Sequence, residues 1–134
     1  MVTIESEMFT EVATALRERF EGIYVSGEYL MKPPSYPAVS IEEADNYDAT
    51  GEMTTEGSGH SVVTYEINVY TNKTVGKKTQ AKEIMAVING VMMSRNFSRL
   101  SSIPVPNVAD ISIYRITARY RAETDGKTIY RYSI

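Results

Sequence analysis

The chain has 134 residues, a formal net charge of −3, 43% hydrophobic residues and 23% charged residues, values that fit one folded domain and exclude wholesale disorder. It has no cysteine, which excludes a disulfide framework, a thiolate nucleophile and a cysteine-ligated metal site. No apolar run approaches the roughly 20 residues of a membrane span, and the first residues do not resemble a secretory signal, so we expect a soluble, cytoplasmic product.

The first part of the chain predicts one helix followed by two strands. The helix runs from Thr3 to about Phe20, with Thr3 as its N-cap and Gly22 at its C-terminal stop. Apolar residues recur on one side of it at helical spacing: Ile4, Met8, Phe9, Val12, Ala13, Leu16 and Phe20. Ile23–Val25 predicts a short strand, the prolines of MKPPSYP exclude regular structure after it, and Ala38–Ala44 predicts a second strand.

A polar segment and a strongly alternating strand come next. Asp45–Gly59 is acidic, contains glycine and is about 15 residues long, a length at which loops are usually functional or mobile. An extended hairpin projecting from the sheet is the alternative. In Ser61–Thr71, residues such as Val63 and Ile67 alternate with polar residues such as Glu66, which predicts a strand with two different faces.

The second half predicts a helix and three more strands. The helix runs from near Val75 to Met93, and Gly90 inside it costs roughly 1 kcal/mol against alanine, which suggests close packing there. Phe97–Val105 predicts a strand or extended arm, Ile111–Ala122 a long strand, and TDGK a tight turn into Thr128–Ile134. The order α-β-β-loop-β-α-β-β-β predicts one α+β domain over residues 1–134, with a mostly antiparallel sheet packed against two helices.

Motifs for enzyme chemistry are weak throughout. Thr71–Thr79 (TNKTVGKKT) lacks the first glycine and the hydroxyl residue after lysine that a phosphate-binding loop requires. His60 is the single histidine, and Asp45–Glu56 lacks the carboxylate spacing of a calcium-binding loop. Glu42 and Glu43 are adjacent in a strand and so point to opposite faces, which disfavours paired acid–base work. We therefore expect no enzyme activity, no cofactor and no bound metal.

The last long strand carries a row of arginines. Arg115, Thr117, Arg119 and Arg121 share one face by strand parity. Ile111 and Ile113 have the parity of the arginines, so a bulge or a half-covered face near Tyr114 is expected. The row either contacts acidic groups of a neighbouring subunit, lines a pore that faces DNA, or is a solvated face with cross-strand partners. Glu66 and Glu123 are the candidates for such partners.

Charge is divided unequally along the chain. Residues 1–60 contain 12 acidic and three basic side chains, whereas residues 61–134 contain five acidic and 11 basic ones. The two halves either face each other or face neighbouring subunits in complementary fashion. A nucleic-acid-binding module that uses Lys73, Lys77, Lys78 and Lys82 is the alternative, and the acidic charge of the whole chain disfavours it.

Three segments carry a resemblance to a known family. PAVSIEEADN before the polar segment, YEINVYTN before the second helix, and the closing ISIYRITARYRAE resemble the small tail-terminator or tail-completion (neck) proteins of long-tailed bacteriophages. The likeness covers nearly the whole chain. It implies an α+β subunit without catalytic residues that assembles into a ring, typically a hexamer, at the head-proximal end of the tail tube. It also implies a virion component from a phage or prophage, assembled in the bacterial host cytoplasm.

The implied partners are further copies of the chain, the tail-tube protein and the head–tail connector protein. No membrane is expected, and DNA is expected only as it passes through the lumen of the ring. Charge and parity nominate interface residues: Arg115, Arg119, Arg121, Asp45, Asp48, Glu52 and Glu56. Another head–tail joining protein, a minor capsid protein and the nucleic-acid-binding module are the alternatives.

Overall fold

The computed structural model describes residues 3–49, 59–106 and 110–132. It contains two helices and six strands in the predicted order, so the α+β class, with a mostly antiparallel sheet against two helices, is confirmed. The elements are α1 Glu5–Arg19, β1 Tyr24–Ser26, β2 Ala38–Asp48, β3 Ser61–Thr71, α2 Lys77–Ser94, β4 Ser98–Pro104, β5 Tyr114–Thr124 and β6 Ile129–Arg131.

Three long antiparallel strands form the centre of the sheet. The strand order is β1-β2-β3-β5-β4, and β6 also pairs with β5. β2, β3 and β5 each have 11 residues, and the pairing of β3 with β5 runs from Ser61 opposite Thr124 to Thr71 opposite Tyr114 without a shift. β1 is the exception to the antiparallel rule, because it runs parallel to the start of β2. The long central strands give the sheet two well-separated ends.

Both helices pack on one face of the sheet through their apolar stripes. Ile4, Met8, Val12 and Leu16 of α1 are buried, as their spacing predicts. The helix begins at Glu5 rather than Thr3, but the Thr3 hydroxyl accepts a 3.3 Å hydrogen bond from the Glu5 N–H. On α2 the buried side chains are Ala81, Ile84, Met85, Ile88 and Met92. The sheet contributes alternating side chains to the same core: Val39, Ile41, Val63, Tyr65, Ile67, Val69, Ile116, Ala118, Tyr120 and Ala122.

Three details of the sequence prediction are corrected by the structure. β2 continues through Asp48, with a bulge between Glu43 and Asp45, so the first four residues of the predicted loop belong to a strand that pairs with β3, as the hairpin alternative expects. β5 begins at Tyr114, which places Ile111 before the strand and removes the parity conflict without a bulge there. Gly90 is exposed, and a Cβ atom built on it would meet no atom within 4 Å, so close packing does not explain it.

The connection between β1 and β2 crosses the face of the sheet that the helices leave uncovered. Its Leu30 carbonyl accepts a 3.1 Å hydrogen bond from the hydroxyl of Tyr70 on β3. Its Tyr29 ring lies 5.7 Å from the guanidinium carbon of Arg115 on β5. This crossing buries one half of that face and leaves the other half to solvent or to a partner.

The stability of the fold is expected to fall in alkali partly because of Tyr120. Its buried hydroxyl donates a 3.1 Å hydrogen bond to Oδ1 of Asn89, and burial raises its pKa to about 12. In the unfolded chain tyrosine ionises near pH 10, so its contribution is complete below about pH 10 and is lost as the pH rises towards 12. Tyr120→Phe is expected to start about 1 kcal/mol less stable and then to lose stability less steeply, measured as urea midpoints from pH 8 upwards. Equal slopes for both proteins would contradict this assignment.

Candidate functional site: the face opposite the helices

The predicted arginine row lies on the sheet face opposite the helices, which we call the far face. Alternation along β5 directs Ile116, Ala118 and Tyr120 to the helices and the odd-numbered residues to the far face. The β5 residues of the far face are Arg115, Thr117, Arg119, Arg121 and Glu123, and their partners on β3 are Tyr70, Asn68, Glu66, Thr64 and Val62 in the same order. The far face is more buried than a solvated sheet surface, because many of these β3 side chains are inaccessible.

Arg115 is held in the covered half of the far face. Its Nε donates a 3.0 Å hydrogen bond to Oδ1 of Asn68, and its guanidinium carbon lies 5.5 Å from the centre of the Tyr70 ring as well as near Tyr29. Thr117 donates a 2.6 Å hydrogen bond to the same Asn68 oxygen. These contacts join Arg115 to a buried polar network and hold its guanidinium between two tyrosine rings.

Arg119 lies in the open half of the far face and has one cross-strand partner. Its Nη1 donates to Oε1 of Glu66 at 3.1 Å, and 42% of its side chain remains exposed. A pair this exposed contributes only about 0.2–1 kcal/mol to folding. A solvated sheet face with cross-strand partners therefore accounts for the contact of Arg119 with Glu66. The other N–H groups of this guanidinium remain available to solvent or to a partner.

Arg121 belongs to a group of tyrosines at the open end of this face. Its Nε donates a 3.2 Å hydrogen bond to the Thr64 hydroxyl, and its guanidinium carbon lies 5.6 Å from the centre of the Tyr132 ring. Burial raises the pKa of Tyr47, and a hydrogen bond with Tyr132 and the nearby Asp45 act in the same direction. We call the group Tyr47, Tyr130, Tyr132, Arg119 and Arg121 the tyrosine–arginine patch. Tyrosine and arginine are the residues that most often dominate the energy of protein interfaces.

His60 borders this patch and orders its edge. Its Nδ1 lies 2.7 Å from Oε2 of Glu123, and its ring stacks on Tyr130 with centroids 5.2 Å apart. Glu123 is therefore paired with the histidine and not with the arginine row, contrary to one of the two cross-strand partners suggested by the sequence. The stack fixes the Tyr130 ring while 41% of that residue stays exposed.

Two of the four predicted acidic interface residues, Asp45 and Asp48, lie on strand β2 and not in a loop. Asp45 lies opposite Thr64, next to Arg121 in the adjacent strand, so the structure brings Asp45 to the tyrosine–arginine patch. Asp48 lies opposite Ser61 at the end of the same strand, and both aspartates are exposed. Two further predicted residues, Glu52 and Glu56, lie outside the described residues. The structure thus gathers Arg119, Arg121 and Asp45 and leaves Arg115 at the opposite end of β5.

Sequence reasoning missed the tyrosines and Asn68. The chain has ten tyrosines, and strand parity places Arg115, Arg119 and Arg121 on one face. Neither observation shows which tyrosine ring lies against which arginine. The alternation along β3 predicts only that Asn68 points to the face that carries Glu66. The burial of Asn68 depends on the β1–β2 connection crossing the far face, a feature of tertiary structure.

The Thr71–Thr79 segment has an ordinary structural role, and most of the Asp45–Glu56 segment lies outside the described residues. In the segment that resembles a phosphate-binding loop, the Thr71 hydroxyl donates to the Lys77 carbonyl at 2.7 Å, and Gly76 has a φ of 88° that suits glycine. Within residues 3–49, 59–106 and 110–132, no three His, Asp or Glu side chains cluster as metal ligands would. Neither helix of these ranges has the length and apolar character needed to cross a membrane.

The comparisons with known proteins identify a shared fold. No protein-family model matches the sequence, and no curated protein matches it. Among solved structures, a chain from the virion of a native gene transfer agent (GTA) particle superposes with a TM-score of 0.60. The superposition covers 86% of this chain and 93% of that chain at 19% sequence identity. At this identity the likeness establishes that the two chains share their fold.

Proposed function

We propose that this protein is a structural component of a phage or prophage virion, a tail-terminator or tail-completion protein that forms a ring at the head-proximal end of the tail tube. The observation that carries the proposal is the fold shared with a virion chain over nearly the full length of both chains. The sequence resemblance to tail-terminator proteins, described above, supports the finer assignment. The proposed role is assembly and not catalysis.

Ring formation requires two different surfaces on each subunit. In a cyclic assembly every contact is heterologous, so one patch of a subunit meets another patch of the next subunit. The tyrosine–arginine patch suits one side of such a contact, because it combines exposed rings with cations already positioned by Glu66 and Thr64. Preordered side chains lose less conformational entropy on binding, which favours affinity.

The proposed partners follow from this role. They are further copies of the chain, arranged as a hexamer, together with the tail-tube protein and the head–tail connector protein. DNA is proposed to pass through the lumen and not to be read by the protein. The protein is proposed to assemble in the bacterial cytoplasm and to remain in the virion neck.

Charge reversal in the tyrosine–arginine patch is expected to weaken ring formation. Arg119→Glu combined with Arg121→Glu places carboxylates beside Glu66 and Asp45 and removes the guanidinium that lies against the Tyr132 ring. The patch then loses the contacts that order it, so we expect the dissociation constant between subunits to rise roughly thirtyfold, about 2 kcal/mol. Light scattering reports the assembled mass, and electron microscopy of purified tail tubes reports whether their ends are capped. Arg99→Glu, on the helix side of β4, makes the same charge change away from the patch and is expected to assemble normally.

The two levels of the proposal fail under different results. Unchanged ring formation and unchanged tube capping by the double variant would contradict the role of the patch. A wild-type chain that neither oligomerises nor binds tube ends would contradict the virion role itself. Circular dichroism on each variant establishes that a loss of assembly is not a loss of folding.

Two alternative functions are each supported by one observation, the shared fold for the first and exposed lysines for the second. Another head–tail joining protein or minor capsid protein would share the virion fold and differ in its position, which labelling within assembled particles determines. The nucleic-acid-binding alternative rests on lysines around the start of α2, of which Lys73, Lys78 and Lys82 are exposed. It predicts DNA affinity that falls steeply with salt and falls further when these lysines are replaced.

A further inference from the structure

Three connections at one end of the sheet each expose an apolar side chain almost completely. Met31 lies between β1 and β2 and is 87% exposed, Val75 lies between β3 and α2 and is 86% exposed, and Ile111 lies between β4 and β5 and is 90% exposed. Single exposed apolar residues are common on protein surfaces. Three such residues at the tips of neighbouring connections form a group of exposed apolar side chains, which is typical of a surface that a partner covers.

The strand register and the electrostatics place these connections together. Ala38 pairs with Tyr70, and Thr71 pairs with Tyr114. The β1–β2 connection therefore enters β2 at the same end of the sheet at which the β3–α2 connection leaves β3 and the β4–β5 connection enters β5. Hydrogen bonds from Ser112 lower the pKa of Asp110 in the β4–β5 connection, and Lys32 and Lys77 from the other two segments lower it further. Such coupling requires the three segments to approach one another.

This end of the sheet is also basic. We call it the loop end, and we define it by Met31, Val75, Ile111, Lys32, Lys73, Lys77 and Lys78. None of the four ion pairs found among residues 3–49, 59–106 and 110–132 involves these lysines. Asp110 opposes them, and the last turn of α1, with two arginines and two glutamates near it, adds no net charge. The loop end therefore presents cations, of which Lys32, Lys73 and Lys78 are exposed and Lys32 and Lys77 also interact with Asp110.

The opposite end of the sheet is acidic and aromatic. We call it the hairpin end, because β2 ends and β3 begins there. Its described carboxylates outnumber the cations Arg95, Arg121, Lys127 and Arg131, and they are Glu5, Glu7, Glu43, Asp45, Asp48, Glu123 and Asp125. Arg95 pairs with Glu7, and His60 pairs with Glu123, whereas Asp45 and Asp48 remain exposed. Two rings of the tyrosine–arginine patch, Tyr47 at 39% and Tyr130 at 41%, are exposed beside them.

We propose that the loop end of one copy docks on the hairpin end of a second copy, with the apolar tips on the tyrosine rings and the lysines on the carboxylates. The inference rests on the proposed ring and names the two surfaces that meet in it. The ends lie about 35 Å apart along 11-residue strands, so each subunit can contact a different neighbour at each end. Methionine against an aromatic ring and lysine against a carboxylate are both favourable pairs.

The chemistry of the loop end favours a protein surface over a nucleic acid. Phosphate oxygens would engage the lysines but would leave Met31, Val75 and Ile111 in water. The hairpin end supplies both acids and rings, and it belongs to every copy of the chain. The arginine row is a weaker counterpart for those acids, because Arg115, Arg119 and Arg121 already donate to Asn68, Glu66 and Thr64 in that order.

A charge swap in trans tests this pairing. Two charge variants are used: Lys73→Glu/Lys78→Glu at the loop end and Asp45→Lys/Asp48→Lys at the hairpin end. Each is expected to raise the dissociation constant for self-association at least about tenfold, because like charges then meet. An equimolar mixture of the two variants is expected to restore the assembled mass, since each reversed end meets a complementary end. Sedimentation velocity measures all three samples, and circular dichroism measures their folding.

Matched controls separate this contact from general effects of charge. Lys127→Glu removes a cation from the hairpin end and is expected to leave assembly intact. Ile111→Ser is expected to weaken assembly, whereas Leu100→Ser, an exposed apolar residue on β4, is not.

Several results would overturn the inference, and they also distinguish it from the proposed function. If folded charge variants assemble like the wild type, or if the mixture stays dissociated, the pairing of the two ends is wrong while the ring and the virion role stand. Loss of DNA binding alone in Lys73→Glu/Lys78→Glu would assign the lysines to nucleic acid. A wild-type chain that remains monomeric at about 1 mM and does not cap tail tubes would overturn both proposals.

Discussion

Replacement of Asn68 by alanine is expected to lower the free energy of unfolding by about 2–4 kcal/mol. Asn68 is fully buried, its Oδ1 accepts from Arg115 and Thr117, and its Nδ2 donates to the Ser40 hydroxyl at 3.3 Å. Alanine would leave three polar groups on the two strands beside β3, Ser40 on β2 and Arg115 and Thr117 on β5, without this partner. Because one of them is a guanidinium, the loss is larger than that of a single neutral hydrogen bond. Urea denaturation at neutral pH measures the change.

Two further asparagine variants show whether the network is the cause. Asn68→Asp keeps two oxygens that can accept from Arg115 and Thr117, so its loss is expected to be smaller than that of Asn68→Ala. Asn72→Ala, one residue beyond β3 and exposed, is expected to change stability by less than about 0.5 kcal/mol. If Asn68→Ala cost no more than Asn72→Ala, the buried network would contribute nothing to stability.

The parts of the fold that depend on periodicity were predictable from the sequence. β3 begins and ends where its alternation predicts, and the stripe of α1 is buried as its spacing requires. These patterns are properties of single segments, because side-chain direction follows directly from backbone geometry. The turn at Gly126, which has a φ of 95°, belongs to the same class of local signals.

The parts that depend on contacts between segments were not predictable in this way. β2 extends to Asp48 because β3 offers partners as far as Ser61, although polar composition had suggested a loop. Gly90 is exposed on α2, where helix propensity alone had suggested a packing reason. For β2, pairing with β3 decides the outcome against a weak local preference, whereas nothing in the structure explains the glycine at position 90.

The candidate site shows the same division. Parity placed Arg115, Arg119 and Arg121 on one face correctly, since that inference needs only strand geometry. The different environments of these arginines could not be inferred, because they follow from the β1–β2 connection that covers Arg115 and leaves Arg119 open. The three arginines look equivalent in the sequence. In the structure Arg115 belongs to a buried network, whereas Arg119 and Arg121 are candidates for contacts in assembly.

Assembly and stability have to be tested with different substitutions in this protein. Substitutions at Arg115 or Asn68 alter the buried network, so a loss of assembly in them would report folding. Substitutions at Arg119 or in the exposed loop end alter surfaces, so they report assembly with little change in stability. Functional experiments should therefore use the exposed residues, and the core should be probed by stability measurements.

Replacement of Phe97 by alanine is expected to have the largest effect on stability, a loss of about 3–5 kcal/mol. Phe97 follows α2 directly, is fully buried, and packs edge-on against Tyr65 with ring centroids 5.5 Å apart. Its N–H donates to the Met92 carbonyl at 3.0 Å, and its carbonyl accepts from Nη1 of Arg131 at 3.2 Å. Both of its backbone groups are therefore tied to neighbouring elements, so the chain around it has little freedom to collapse into the cavity that alanine would leave.

Phe97→Leu is the matched control, because it retains most of the buried volume and is expected to cost less than about 1.5 kcal/mol. Thermal unfolding should separate the two variants by roughly 10 °C, with alanine the lower. A loss below about 1 kcal/mol for Phe97→Ala would mean that Tyr65 or α2 moves into the vacated space. Since Phe97 joins the end of α2 to the first residue of β4, the same experiment also measures how firmly the helix layer holds this edge of the sheet.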